Sequence, residues 1–198
     1  MKLPRERWEQ GLTYDAYKAG MTRNGERVEA NERRVVIDPE SVRMVRDVGR
    51  LNALVLAEDW CGDVVANLPV LARLAKETGT LDVRVFYRDQ NDDLTQRWLN
   101  QGKYKSIPVV VFFDLDLNEL AHWIERPASV TELRARKRAE IYASRPDFGS
   151  PDAPVDQLPD DVRAALQAEL AKMREETTPF ANAEVLRELR ELVAGVRA

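Results

Sequence analysis

One cysteine occurs in 198 residues, and it stands in Trp60-Cys61-Gly62-Asp63-Val64. Ahead of it, Leu51 to Ala57 is a continuous apolar run of strand length. Behind it, Val65, Leu68, Leu71, Ala72 and Leu74 or Ala75 fall on one helical face. The spacing predicts a thiol at a strand-to-helix turn. A sulfur placed there faces unpaired N–H groups and the positive end of the helix macrodipole. Both favour the thiolate, which is the nucleophilic form. The chemistry of such a residue is thiol–disulfide exchange, with Cys61 as nucleophile. A lone cysteine more commonly serves as a small buried hydrophobe, but its place after Trp60 at this turn outweighs that reading. A dithiol centre of the C-x-x-C kind needs a cysteine at position 64, and position 64 is valine.

Other chemistries are excluded by what the sequence lacks. The only histidine is His122, so a zinc site with several His and Cys ligands cannot be assembled. No Gly-x-Ser-x-Gly elbow, phosphate-binding Gly-rich loop or dinucleotide fingerprint is present. The expectation is no metal and no cofactor, with no role for His122 beyond the surface or rim of a hairpin. A net charge of −4 argues against a nucleic-acid partner. The Arg134-Ala135-Arg136-Lys137-Arg138 cluster reads as a solvated helix face. No run approaches the roughly 20 apolar residues that span a bilayer, and the N-terminal residues have no apolar stretch of signal-peptide type. With a single cysteine, these features predict a cytoplasmic protein with no membrane association.

The elements that must position the thiol follow from periodicity and caps. Thr13 is expected to cap a short helix to about Ala19, Thr22 a second to about Arg34, and Asp38-Pro39-Glu40 a third that stops at Gly49. Strand 51–57, a helix from 62 to about 77, strand 81–87, a helix from 89 to 100 and the apolar strand 108–113 come next. A turn at 114–118, a return strand 119–125 and a helix from Pro127 to about Ser144 complete the series. The order β-α-β-α-β-β-α argues parallel pairing first and an antiparallel hairpin at one edge. Pro146, Pro151, Pro154 and Pro159 punctuate a loop, followed by helices of about 159–176 and 181–196. The apolar stripe of the last helix (Val185, Leu186, Leu189, Leu192, Val193, Val196) must be buried. Packing back on the domain is the simpler solution, and a homodimer through the C-terminal helices is the alternative.

Several features taken in order are similar to the thioredoxin-like superfamily. Trp60-Cys61-Gly62 resembles the start of its Trp-Cys-Gly-Pro-Cys motif, and Pro69 falls where the family kinks its active-site helix. Asp89-Gln90-Asn91 resembles the acidic turn after the central strand, and Ser106-Ile107-Pro108 resembles the cis-proline loop. The whole chain also resembles a bacterial branch with a Trp-Cys-Gly-Asp motif and added terminal helices. The resemblance implies an α/β thioredoxin fold, a central mixed β-sheet flanked by helices, over residues 51–145. N-terminal (1–50) and C-terminal (146–198) helical extensions would join it in one compact domain. It also implies that Ile107 and Pro108 form the substrate edge and that Trp60, Gly62 and Asp63 shape the site. Asp63 has an equally good structural reading, as an acid in a helix first turn.

Three departures bear on function. Val64 replaces the resolving cysteine, so a mixed disulfide on Cys61 needs a second thiol from outside. The family's buried aspartate and lysine positions are Val55 and Val85 here, apolar together. Glu58, Asp59 and Asp63 surround Cys61 with acid, which predicts a less acidic thiol than in dithiol relatives. Arg88 and Lys105 are the candidate compensating cations, with Lys105 the better placed. The leading expectation is monothiol thiol–disulfide exchange on a protein or low-molecular-weight thiol or disulfide substrate, in cell redox homeostasis. The alternative is a non-catalytic thioredoxin-fold module that binds a protein. An iron–sulfur carrier using one protein thiol ranks below both, because no glutathione-binding surface is identifiable.

Overall fold

The computed structural model describes residues 1–196. Its five-stranded mixed sheet has the order β1-β3-β2-β4-β5. The strands are β1 (Leu12–Thr13), β2 (Leu51–Ala57), β3 (Leu81–Tyr87), β4 (Val109–Phe113) and β5 (Glu119–Ile124). Strand β2 is buried at every position, which is why its sequence is an unbroken apolar run. It pairs parallel with β3 on one side and antiparallel with β4 on the other. Ala57 and Tyr87 therefore end, and Val109 begins, at the same end of the sheet. Helix α5 (Gly62–Thr78) starts at that end too, directly after β2.

The antiparallel β4 corrects the expected geometry between 88 and 108. A connection that begins and ends at one end of a sheet has no length to travel, so no crossover helix is needed. In place of the expected helix over 89–100 there is a short 3-10 turn, Arg88–Gln90, and one helical turn, α6 (Asp92–Thr95). Arg7, just after the start of α1 (Arg5–Trp8), holds this segment by donating to Asn91 at 2.6 Å and to Asp93 at 2.9 and 3.1 Å.

Caps set the N-terminal helices. Thr13 accepts from Ala16 N at the head of α2 (Tyr14–Ala19). Asp38 accepts from Ser41 N at 2.8 Å, ahead of α4 (Pro39–Val48), with Pro39 in the first turn. Thr22 does not cap α3 (Gly25–Arg34). Asn24 stands at that position in the left-handed region, φ 58°, and the Thr22 N–H and hydroxyl go instead to Asp59. Gly11, before β1, is required by close approach: a Cβ there would stand 2.6 Å from the Phe86 ring and 2.7 Å from Arg84 Cβ.

Helix α5 contains Pro69, which has no N–H for the Val65 carbonyl four residues earlier. Helix α3 supplies the donor, since Asn31 Nδ2 reaches Val65 O at 3.2 Å and Ala66 O at 2.9 Å. At the other end of α5, Arg46 of α4 donates to the Glu77 and Thr78 carbonyls at 2.7 and 3.0 Å, and Gly79 closes the helix with φ 67°.

The chain divides into two compact units, Met1–Arg126 with the residues from Val185 onward, and Pro127–Glu184. The second unit holds α7 (Ala128–Ser144) and most of α8 (Asp160–Gly195), around a small core of Tyr142, Phe148 and Leu166. Helix α8 is one helix, not the expected pair. Pro179 removes a single N–H, while Thr177 and Thr178 hydroxyls bond back to the Met173 and Arg174 carbonyls just before it. In the first unit the end of α8 buries Val185, Leu186, Leu189 and Val193 in the main core. Trp123 Nε1 donates to Glu188 at 2.7 Å, and Arg190 donates to Ser41 at 3.1 Å. No described helix is long and apolar enough to cross a membrane.

Candidate functional site

The residues singled out in the sequence come from two elements and one loop. Cys61 is the N-cap of α5, with extended backbone (φ −81°, ψ 121°), and is half-buried. Its thiol donates to the Ile107 carbonyl at 3.5 Å, and the Ile107–Pro108 peptide that follows is cis. The loop before β4 thus lies against the start of α5, 46 positions away in sequence. Ile107 and Pro108 are buried, so their backbone rather than their side chains meets the thiol.

A thiol that donates to a carbonyl is stabilised in its neutral form. Burial pushes the Cys61 thiol up from its ordinary value; the first-turn N–H groups of Val64 and Asp63 pull it down, the Asp63 carboxylate pushes it up and Arg88 pulls it down. Burial wins. In the neutral state the sulfur serves as donor to Ile107 and makes no capping bond to α5. In the anionic state it must turn from donor to acceptor, toward the helix N–H groups.

Trp60 is 44% exposed, and the Arg88 guanidinium lies over its ring at 4.9 Å from the centroid. Arg88 also binds Asp89 through two nitrogens, at 2.6 and 2.8 Å, and donates to the Lys105 carbonyl at 3.0 Å. Lys105 pairs with Asp92 at 2.6 Å. Of the two candidate cations, Arg88 is the one that lowers the thiol. A side chain built at Gly62 would meet open space, so the backbone does not demand glycine there.

Asp63 pairs with Arg126, which also contacts Glu125 at 3.1 Å. Glu125 sits in the left-handed region, φ 68°. Its N–H donates to Pro108 O at 2.7 Å, and its carbonyl accepts from Asn67 of α5 at 2.8 Å. This corner ties the first two turns of α5 to the proline loop. Neither Arg126 nor Glu125 carries a recognisable signal in the sequence, because each acts through a tertiary contact at the end of a strand.

The two acids before Trp60 are both 8% exposed yet behave oppositely. Burial pushes the Glu58 carboxyl up, against one backbone donor, Asp89 N at 2.8 Å. Burial also pushes Asp59 up, but Thr22 N, Thr22 Oγ1 and Arg23 N together hold it below its usual range. Asn24 Nδ2 donates to the Asp59 carbonyl at 2.8 Å. The segment between α2 and α3 is therefore fastened two residues before the thiol. Val55 and Val85 are register partners, and Val55 also faces Val110 on β4. All three are buried, so the positions of the family's charge pair form continuous apolar core. No cluster of metal-ligating side chains occurs among the described residues.

A family model described as thioredoxin matches residues 11–139, about two thirds of the chain. Two solved structures share the fold. A Pseudomonas aeruginosa protein of unknown function is 20% identical with a TM-score of 0.60, over 88% of this chain and 99% of that one. An HIV epitope-scaffold is 18% identical with a TM-score of 0.63, over 95% of each chain. No curated protein matches the sequence.

Proposed function

Because the chain belongs to the thioredoxin family, we propose that it is a cytoplasmic monothiol exchange protein of the Trp-Cys-Gly-Asp branch, acting through Cys61. The observation that carries this reading is the contact of Cys61 Sγ with Ile107 O at the head of α5. That contact supports the reading because it sets a thiol at a helix N-terminus against the backbone of the proline loop. The Cys61 thiolate attacks one sulfur of a substrate disulfide. A new S–S bond forms as the old one breaks, and the leaving sulfur carries off the electron pair and takes a proton from solvent. Val64 offers no second thiol, so an external thiolate attacks the mixed disulfide and releases Cys61. Trp60, Gly62, Asp63, Ile107 and Pro108 shape the surface on which a protein or small disulfide lies.

The raised thiol favours a slow enzyme at neutral pH. Each unit of pKa removes about tenfold of thiolate but returns roughly threefold in intrinsic nucleophilicity. The same burial favours the second reading, a module that binds a protein without turnover. Incubation with glutathione disulfide separates the two. The exchange reading expects one adduct per chain, on Cys61 only, reversed by excess external thiol and absent in Cys61→Ser. Its rate rises with pH through a value above the roughly 8.5 of free cysteine. A chain with no adduct even at pH values above that overturns exchange in favour of binding.

A further inference from the structure

Arg88 follows directly on β3, and its guanidinium is engaged on every side. Nε and Nη2 both donate to Asp89 Oδ1, at 2.8 and 2.6 Å. Nη1 donates to the Lys105 carbonyl at 3.0 Å. The guanidinium carbon lies over the Trp60 ring, 4.9 Å from its centroid. Trp60 immediately precedes Cys61, and Lys105 stands just ahead of Ile107, whose carbonyl accepts from the Cys61 thiol. One side chain therefore bridges the two segments that flank the sulfur. Its own backbone is fixed as well. The Arg88 carbonyl accepts from Thr95 Oγ1 at 3.1 Å and from Asn91 N at 3.2 Å, and the next N–H, of Asp89, donates to Glu58 at 2.8 Å. A second tie reaches the same loop, where Lys105 Nζ pairs with Asp92 at 2.6 Å.

We propose that Arg88 is a positioning residue of the thiol site, which clamps Trp60 to the proline loop so that a peptide disulfide meets two walls already set in place. This rests on the exchange reading above. Trp60 is 44% exposed, and an exposed indole free to turn must be ordered each time a substrate lies on it. A ring held by a cation fixed elsewhere has lost that freedom beforehand, and so has a loop whose carbonyl is already bonded. Lysine is not equivalent at this position. Its ammonium is a point charge without a plane to lay on the ring or a fork to span Asp89 and the Lys105 carbonyl, so it serves one of the three partners and not all together. Arg88 forms no covalent bond in the exchange and transfers no proton. The bond-making and bond-breaking sulfurs remain those of Cys61, the substrate and the external thiol.

The test compares the wild type with Arg88→Lys, which keeps the positive charge. Acrylamide quenching of tryptophan fluorescence reads Trp60, because Trp8, Trp98 and Trp123 are all buried. Loss of the clamp should make that quenching steeper. The rate of adduct formation on Cys61 with glutathione disulfide is then divided by the rate of its alkylation by iodoacetamide, which cancels any change in thiolate fraction. The ratio should fall about two- to fivefold, as the loss of one exposed cation–π contact allows. Steeper quenching with an unchanged ratio overturns the positioning role, and unchanged quenching overturns the clamp itself. If Arg88→Lys fails to fold, Asp89→Ala takes its place with the same two readouts, since it removes the acceptor of Nε and Nη2 at an exposed position. A wild type that forms no adduct overturns the exchange reading and this proposal with it. A wild type that exchanges, beside a variant that does so equally well, overturns this proposal alone.

Discussion

Asp59 and Glu58 are neighbours with equal exposure, and the number of donors aimed at each sets their opposite behaviour. A carboxyl held low in the folded state stabilises above its unfolded pKa, near 3.9, and loses that stabilisation as pH falls through the folded value. Asp59→Asn should therefore cost about 1–3 kcal/mol at pH 7, and the gap to wild type should close in urea melts taken below about pH 3. Val55→Asp should not recreate the family's buried charge pair. Its neighbours Val85 and Val110 offer no charge, so an unpaired carboxylate there should cost about 3–5 kcal/mol in denaturant melts. Gly62→Leu should leave the melt nearly unchanged, because the space is open. It should slow Cys61 toward a bulky aromatic disulfide far more than toward iodoacetamide. Cys61, Trp60 and the proline loop were legible because a rare residue type and a fixed spacing mark them. Arg126 was not, since a common residue announces nothing until the fold pairs it with Asp63. Lys105 looked better placed than Arg88 from sequence position alone, which cannot reveal that Asp92 already holds it.

At the scale of elements, caps and apolar runs were readable wherever the signal was local. Thr13 and Asp38 act where the sequence puts them. The region 88–108 was not readable, because the direction of β4 removed the need for a helix that its polar-apolar pattern would have allowed. The pairing of Pro69 with Asn31 is likewise invisible in one dimension, since the carbonyl freed in α5 is satisfied from α3. It yields a double-mutant test. Asn31→Ala should cost about 1–2 kcal/mol in the wild-type background. In Pro69→Ala, where a backbone N–H is restored to Val65 O, that cost should shrink by half or more, and fully additive losses would show that the two are independent.

For the whole molecule, the same logic extends to the chain ends. The last residues of α8 bury Val185 and Val193 completely and Leu186 and Leu189 nearly so. At about 1.5–3 kcal/mol for each side chain, they represent much of the 5–15 kcal/mol by which domains are usually stable. A chain ending before Val185 should lose its cooperative thermal transition or melt far lower. The apolar stripe was evident in the sequence, whereas the core it would join was not. The fastening of Thr22, Arg23 and Asn24 to Asp59 carries a consequence for inheritance. The strand-turn-helix that bears the thiol is not a cassette. Grafted into another thioredoxin-fold host without residues 14–34, it would arrive with Asp59 stripped of its donors and Pro69 facing an orphaned carbonyl. The N-terminal helices and the Trp-Cys-Gly-Asp motif must then be exchanged between proteins as one heritable block.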